Sequence, residues 1–536
     1  MLYELKEETL NTWESIEYVR LSLLSLLLYV FLLVMRNIYL KFLGLSKCKL
    51  YRFYALFILI AIFPCNVVAQ SALSYNAEIN GSVSTGNFSP FWLSANKHGV
   101  SSIKNGWGYM RMEVTDERVF KKKWNLEYGT DIIIGRSLIY NIFIQQIYAD
   151  VSWRWLRISV GKKERTGELK NHSLSTGGLI ESGNAAPIPQ VRIEMPRYCD
   201  FPGTKGWLGL RGHIAYGWFD DGRWQHDWVA EGTRYAKNVL YHSKSLFWKI
   251  GKEQYFPLSY EGGVQFASQF GGTIYNYMNK NGVNYKMPTR LKDFWNIFIY
   301  SSGDGKYDLG DRLSVAGNHL GSYHLSLKWN RKYWSLRGYY EHMFEDHSGM
   351  FWEYGLWKDC LAGVELQIKG LEWINNIVFE YFNSRDQAGP IYHDATGEIP
   401  DQISAVDDYF DHHAYPCWQQ YGASIGTPLI TSCLYNKNHR FIVYNNRVEA
   451  FHIGVSGQPT KEFAYRTLLT KSRNWGTYKK PFTEIMSNIS ALFEIFYTPR
   501  WSDGFSGSLS LAFDKGELYG DNKGVMFAIK KSGKFF

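Results

Sequence analysis

Beyond Ala69 the chain holds no run of 18 apolar residues, yet apolar and polar residues alternate in one stretch after another. The first fact excludes transmembrane helices from residues 70–536, and the second calls for a sheet with one greasy and one wet face. In Ile147–Trp155, the residues Ile147, Ala149, Val151, Trp153 and Trp155 point one way, and Tyr148, Asp150, Ser152 and Arg154 point the other. The phase flips at Leu156, where Leu156, Ile158 and Val160 begin to alternate with Arg157 and Ser159, so a tight turn or bulge is predicted. Further hairpins are predicted on the same grounds. Leu325–Trp329 returns through Asn330-Arg331-Lys332 as Trp334–Tyr340, and Val364–Ile368 turns at Lys369-Gly370 into Trp373–Tyr381. Leu492–Tyr497 turns near Pro499 into Leu509–Phe513. A last alternating strand carries Val525, Phe527 and Ile529 and is followed by Phe535-Phe536.

Turns of a few residues alternate with long polar links such as Lys162–Gly206, Asn276–Lys292 and Asn383–Arg440. Lipid offers no hydrogen-bond partner, so a spanning sheet must close on itself, with short turns on one rim and long loops on the other. The predicted fold class is therefore all-β, a transmembrane antiparallel β-barrel of the outer membrane. At about 20–28 residues per strand and connection, residues 70–536 hold roughly 16 to 20 strands. Aromatics at 17% exclude disorder, and six Cys in 536 residues exclude a disulfide scaffold. A secreted propeller or sandwich is the soluble alternative, but no 40–50-residue repeat supports a propeller. Trp153, Trp155, Trp329 and Trp334 suit interfacial girdles. The net charge of +9 is spread thinly, with Lys121-Lys122-Lys123 the densest basic run, which argues against nucleic acid as a partner.

The front end reads as a targeting segment. Leu21–Val34 and Tyr54–Phe63 are both short for a bilayer-spanning helix, and the second follows Lys47, Lys49 and Arg52 and precedes Val67-Val68-Ala69. That is the layout of a secretory signal over 47–69, with cleavage after Ala69. Residues 1–46 read as an extension from an upstream start codon or as a second anchor. Residues 70–110 read as an N-terminal periplasmic or plug segment, and 111–536 as the barrel. Of the body cysteines Cys199, Cys360, Cys417 and Cys433, only Cys417 and Cys433 suggest a bridge, with buried thiols as the alternative.

No catalytic constellation emerges. The sequence lacks a G-x-S-x-G elbow, and Asp220-Asp221, Asp407-Asp408 and Glu341/Glu345 offer carboxylates that nothing pairs across one bond. Asp304, Asp308 and Asp311 miss the calcium-loop spacing, and Asp411-His412-His413 is a weak metal pattern. No catalytic residue, metal or cofactor is assigned. Sugar binding asks for less: rings against C–H faces, and planar cationic forks for carboxylates. Arg165, Asn184, Arg192, Trp218, Trp224, Arg473 and Trp475 are the glycan-binding candidates. For the tryptophans an interfacial girdle or loop packing is the competing role, and for Arg165 and Arg192 a charge ladder inside the barrel.

Several segments in order resemble the Wzi-type capsule assembly family. They begin with Phe88–Gly99, Gly161–Gly167, Leu174–Gly178, Ser182-Gly-Asn184 and Pro187–Ile193. They continue with Gly317–Ser322, Tyr421-Gly422, Gly426–Leu429, Asn445–Val448 with His452, Ser472–Tyr478 and Gly520–Asn522. The resemblance spans residues 73–536 and implies an 18-stranded outer-membrane barrel with a periplasmic helical portion, a lectin that binds capsular polysaccharide noncovalently. The expected partners are the polysaccharide, outer-membrane lipid and, through the terminal aromatic Phe536 on the last strand, the barrel assembly machinery, with the protein a monomer. An outer-membrane porin or oligosaccharide channel is the alternative, since the same alternation serves an open lumen.

Overall fold

The computed structural model describes residues 70–71, 73–120, 123–301, 304, 316–345, 348–350, 358–387, 392–393, 403–404 and 407–535. The signal-like segment, the extension before it, Asp308, Asp311 and Phe536 lie outside the described residues.

Eighteen strands form the barrel: β1 (Ser74–Thr85), β2 (Gly106–Phe120), β3 (Trp124–Arg136), β4 (Ile142–Trp153), β5 (Leu156–Lys162) and β6 (Gln190–Asp200). Then come β7 (Leu208–Trp218), β8 (Leu240–Ile250), β9 (Leu258–Phe270), β10 (Asn318–Asn330), β11 (Trp334–Phe344) and β12 (Cys360–Ile368). The last are β13 (Asn376–Asn383), β14 (Val448–Gly457), β15 (Phe463–Gly476), β16 (Pro481–Tyr497), β17 (Phe505–Gly516) and β18 (Asn522–Lys534). Each pairs antiparallel with its neighbours in sequence, and β18 closes on β1 over Ser74↔Lys534 to Thr85↔Lys523. Closure leaves no strand edge without a backbone partner, as hydrocarbon demands.

Alternation becomes geometry. In β1, Ile79 and Val83 face outward at 58% and 71% exposure, while Asn80, Ser82 and Ser84 are buried inside. The same outward apolar row recurs at Leu325, Leu327, Phe493, Leu509, Leu511, Val525, Phe527 and Ile529. The phase flip at Leu156 is a two-residue turn, with Arg154 in the left-handed region at φ 55°. One rim has connections of two to seven residues, such as 121–123, 154–155, 331–333 and 498–504. The other carries 86–105, 163–189, 219–239, 271–317 and 384–447. Among the described residues no helix is long and apolar enough to cross a membrane.

Four readings need adjustment. Lys162–Gly206 is not one link, because Gln190–Asp200 is strand β6; a register shift between Met195 and Cys199 breaks its alternation and hid it. The turn after Ile368 runs through 369–375, and Trp373 is a 70% exposed turn residue rather than strand. Residues 70–110 divide: Ser74–Thr85 is already barrel strand, Gly106 opens β2, and only 86–105 folds inward. The helical portion implied by resemblance is not found among the described residues of 73–120, where the one helix is α1 (Phe91–Ser94). Elsewhere stand α2 (Gly222–Trp228) and α3 (Leu291–Ile299), both in long-rim links.

Candidate functional site

The segment 163–189 turns into the lumen and ties the wall together from within. Its charges meet opposite charges on successive strands. Lys163 Nζ lies 2.7 Å from Asp150 and 2.8 Å from Glu127, and Glu164 accepts from Arg111 at 2.9 Å. Glu168 meets Arg211 at 2.7 Å, and Lys170 meets Glu341 at 2.8 Å. Asn171 Nδ2 donates to Glu365 at 2.7 Å. Glu380, fully buried, accepts from Ser175 Oγ at 2.5 Å, from Thr176 N and Oγ1 at 2.8 Å each, and from Tyr339 Oη at 2.5 Å. Buried carboxylates persist only when so satisfied, and these are.

Two more segments lock onto the first. Residues 407–436 bring in Tyr409, Phe410, Tyr415 and Trp418, all essentially buried. Trp418 Nε1 donates to the Ile180 carbonyl at 2.7 Å, Ser182 N to Ile425 O at 2.8 Å, and Thr427 N to Leu179 O at 2.9 Å. From the 86–105 link, Phe91, Trp92 and Leu93 are buried, Trp92 Nε1 donates to Thr470 Oγ1 at 3.1 Å, and His98 N to Gly183 O at 2.7 Å. An apolar core therefore sits inside a barrel that is oily outside, with Leu174, Leu179, Ile180, Trp92 and Trp418 in one cluster. The barrel is filled, not merely lined.

At the long-loop end of β15, on the outward face that also carries Leu469 and Lys471, the rim presents an aromatic and cationic surface. The Trp475 ring has the Arg385 guanidinium 4.9 Å from its centre and that of Arg473 at 5.1 Å. Arg447 lies 3.9 Å from the centre of Tyr478, whose hydroxyl donates to the Arg385 carbonyl at 2.9 Å. One carboxylate, Glu449, faces both Arg385 at 3.5 Å and Arg473 at 3.4 Å. The Arg385 and Arg473 side chains are 38% and 48% exposed, and Tyr478 is 42% exposed, so forks and ring remain open to a ligand. Exposed pairs of this kind contribute little stability. Rings flanked by bidentate donors suit an acidic sugar.

The seven candidates from sequence fall in different places. Arg473 and Trp475 come together as described. Asn184 borders a cleft of about 60 Å³ with Gln420, Tyr421 and Tyr435, room for water and not for a sugar ring; its amide also accepts from Asn96 N and donates to Ser424 O. Trp224 stacks on Trp228 at 5.5 Å and touches Tyr421 and Phe441, docking α2 on the rim. Arg165 and Arg192 lie in the lumen, where Arg165 donates to Lys163 O and Ser159 Oγ, and Arg192 to Glu194 at 2.6 Å. Trp218 ends β7 on the outer wall at 42% exposure, in line with Ile214. Sequence reasoning passed over Arg385, Arg447 and Tyr478, although the last two fall within the segments Asn445–Val448 and Ser472–Tyr478. In the loops, burial pushes the Asp221 carboxyl up to about 6, while Gln225, Gln419 and the Tyr421 N–H donate to it and pull the other way. Among the described residues no three His, Cys, Asp or Glu side chains are grouped to hold a metal.

Fold and site together define a class: an outer-membrane β-barrel of 18 strands whose lumen is occupied by its own long-rim segments. Among solved structures, the chain is similar to Wzi, an outer membrane protein involved in group 1 capsule assembly in Escherichia coli, described as a carbohydrate binding β-barrel. The TM-score is 0.52 at 13% identity, covering 85% of this chain and 83% of that one. Pseudomonas aeruginosa OccK5 (OpdH) matches at TM-score 0.46 and 7% identity over 87% of this chain and 99% of that one. OprD of the same organism matches at 0.44 and 8%, over 87% and 96%. No family model matches the chain, and no curated protein matches it.

Proposed function

We propose that this protein binds a capsular polysaccharide noncovalently at the long-loop rim and holds it to the cell surface, as a monomer and without catalysis. The observation that carries the reading is the rim surface of Arg385, Arg473 and Trp475, with Arg447 on Tyr478, at the outward long-loop end of β15. Rings offer faces to sugar C–H groups, and guanidinium forks take the polymer's carboxylates. The similarity in fold to a carbohydrate binding barrel of capsule assembly is consistent with this role. The C-terminal aromatic strand suits recognition by the barrel assembly machinery, and outer-membrane lipid surrounds the wall.

The test is retention of the host's own capsular polymer by purified protein. Arg473→Ala combined with Trp475→Ala is expected to weaken binding roughly tenfold to hundredfold, at about 0.7–1.4 kcal/mol per lost ring or fork. Undiminished binding by that variant would remove the rim from the proposal. The porin alternative predicts steady large conductance in planar bilayers; the filled lumen predicts silence.

A further inference from the structure

Among the described residues, three lysines on the outer wall have no ion-pair partner. Lys471, Lys515 and Lys523 are exposed, and among the described residues none makes an ion pair or a side-chain hydrogen bond. Inside the barrel, by contrast, Lys162, Lys163 and Lys170 each meet a carboxylate. On that rim Glu449 faces Arg385 and Arg473, Glu517 accepts from the Ser487 N–H at 2.7 Å, and Asp521 accepts from the Gly516 N–H at 3.3 Å.

Register fixes where the three stand. Lys471 lies across from Ile489, and Ile489 across from Lys515. Lys523 lies across from Phe513 on one side and Thr85 on the other. All three sit at the long-loop ends of β15, β17 and β18, which is the outer-leaflet side of such a barrel. In the next row toward the membrane, Leu469, Ala491 and Phe513 are aligned, followed by Thr467, Phe493, Leu511, Val525 and Val83. Because Ala491 and Thr467 are small among larger neighbours, the wall is dented there. The groove encloses about 650 Å³ between Val83, Ala491, Phe493, Leu511, Phe513 and Lys523.

An apolar groove capped by several unpaired ammonium groups asks for one kind of occupant, an amphiphile with hydrocarbon chains and more than one negative charge. A single zwitterionic headgroup would leave most of the cationic row uncompensated. We propose that this face docks a phosphorylated, acylated glycolipid of the outer leaflet, with phosphates on Lys471, Lys515 and Lys523 and an acyl chain in the groove over Ala491. The site adjoins the Arg473 end of the rim on the same face of β15, and it does not rest on polysaccharide binding there.

The experiment uses the full barrel in neutral-lipid nanodiscs, probed with bisphosphorylated lipid A and with its fully dephosphorylated form, and counts retained lipid by native mass spectrometry. The wild type is expected to hold the phosphorylated probe at least about tenfold more tightly than the dephosphorylated one. The triple variant Lys471→Gln, Lys515→Gln, Lys523→Gln is expected to lose about tenfold, and Ala491→Trp, which fills the groove without changing charge, to lose a similar amount. Heat-modifiable gel mobility serves as the fold control. Equal retention of the two probes by the wild type overturns the proposal, as does unchanged retention in either folded variant.

Discussion

At the scale of single residues, the charged groups inside the barrel act as fasteners. Glu380 receives four donors from two different parts of the chain, so removing it strands all four in a dry interior. Glu380→Ala is expected to cost about 3 kcal/mol or more and to release the 163–189 segment, read as faster amide exchange at Ser175 and Thr176. Exchange rates equal to those of the wild type would mean that the carboxylate does not anchor the segment. Asp221 gives a pH dependence. Its folded-state pKa of about 6 lies above the ordinary 3.8, so protonation favours the docked loop. Its contribution is full below about pH 4 and is lost as pH rises through 6. Thermal unfolding followed from pH 4 to 7 is expected to show this fall in the wild type and a flatter profile in Asp221→Asn.

At the scale of strands, a recurring device is an inward aromatic laid over a glycine directly opposite. Phe247 faces Gly263, Phe344 faces Gly321, and Tyr339 faces Gly363. A Cβ on any of the three glycines would fall well inside contact distance of the ring, at 2.2 Å in each case. Such pairs pin register and let the ring lie flat against the wall. For Tyr339 the flat position also delivers its hydroxyl to Glu380. Gly363→Val is therefore expected to lower stability by about 1–3 kcal/mol through overpacking and to weaken the Glu380 anchor. A chemical-denaturation midpoint matching the wild type would show that the ring has another place to go.

At the scale of the whole molecule, the barrel inverts the usual arrangement, with apolar rows outside, a polar ladder on the inner wall, and a second apolar core within. An arginine placed in the outer belt should cost in proportion to its depth. Phe527→Arg, midway along β18, is expected to lower refolding stability in bilayers by about 2–4 kcal/mol, against about 0–1 kcal/mol for Lys523→Arg at the rim. Similar costs at both positions would argue that Phe527 does not face lipid.

How much of this was legible follows from the range of each interaction. Period-two alternation is local, so Ile147–Val160 and Leu325–Tyr340 announced their hairpins, and lopsided connections announced a closed barrel with a wet and a lipid face. Where a bulge broke the period, at Met195–Cys199, strand β6 was missed. The Arg473 and Trp475 pairing was within reach because both lie two residues apart on one strand face. Arg385 joins them only because β13, β14 and β15 are neighbours in the sheet. Which segments of the long rim meet in the lumen, and on which partners, was beyond sequence reasoning. Lys170 finds Glu341, Thr176 finds Glu380, and Trp418 finds Ile180 across 160 to 240 positions of chain. The sequence alone settled that the wall must close and which side faces hydrocarbon, because that depends on neighbours two residues away. Only the tertiary structure decided that three distant segments would meet inside, because their charges and rings acquire partners only once the wall has brought those partners together.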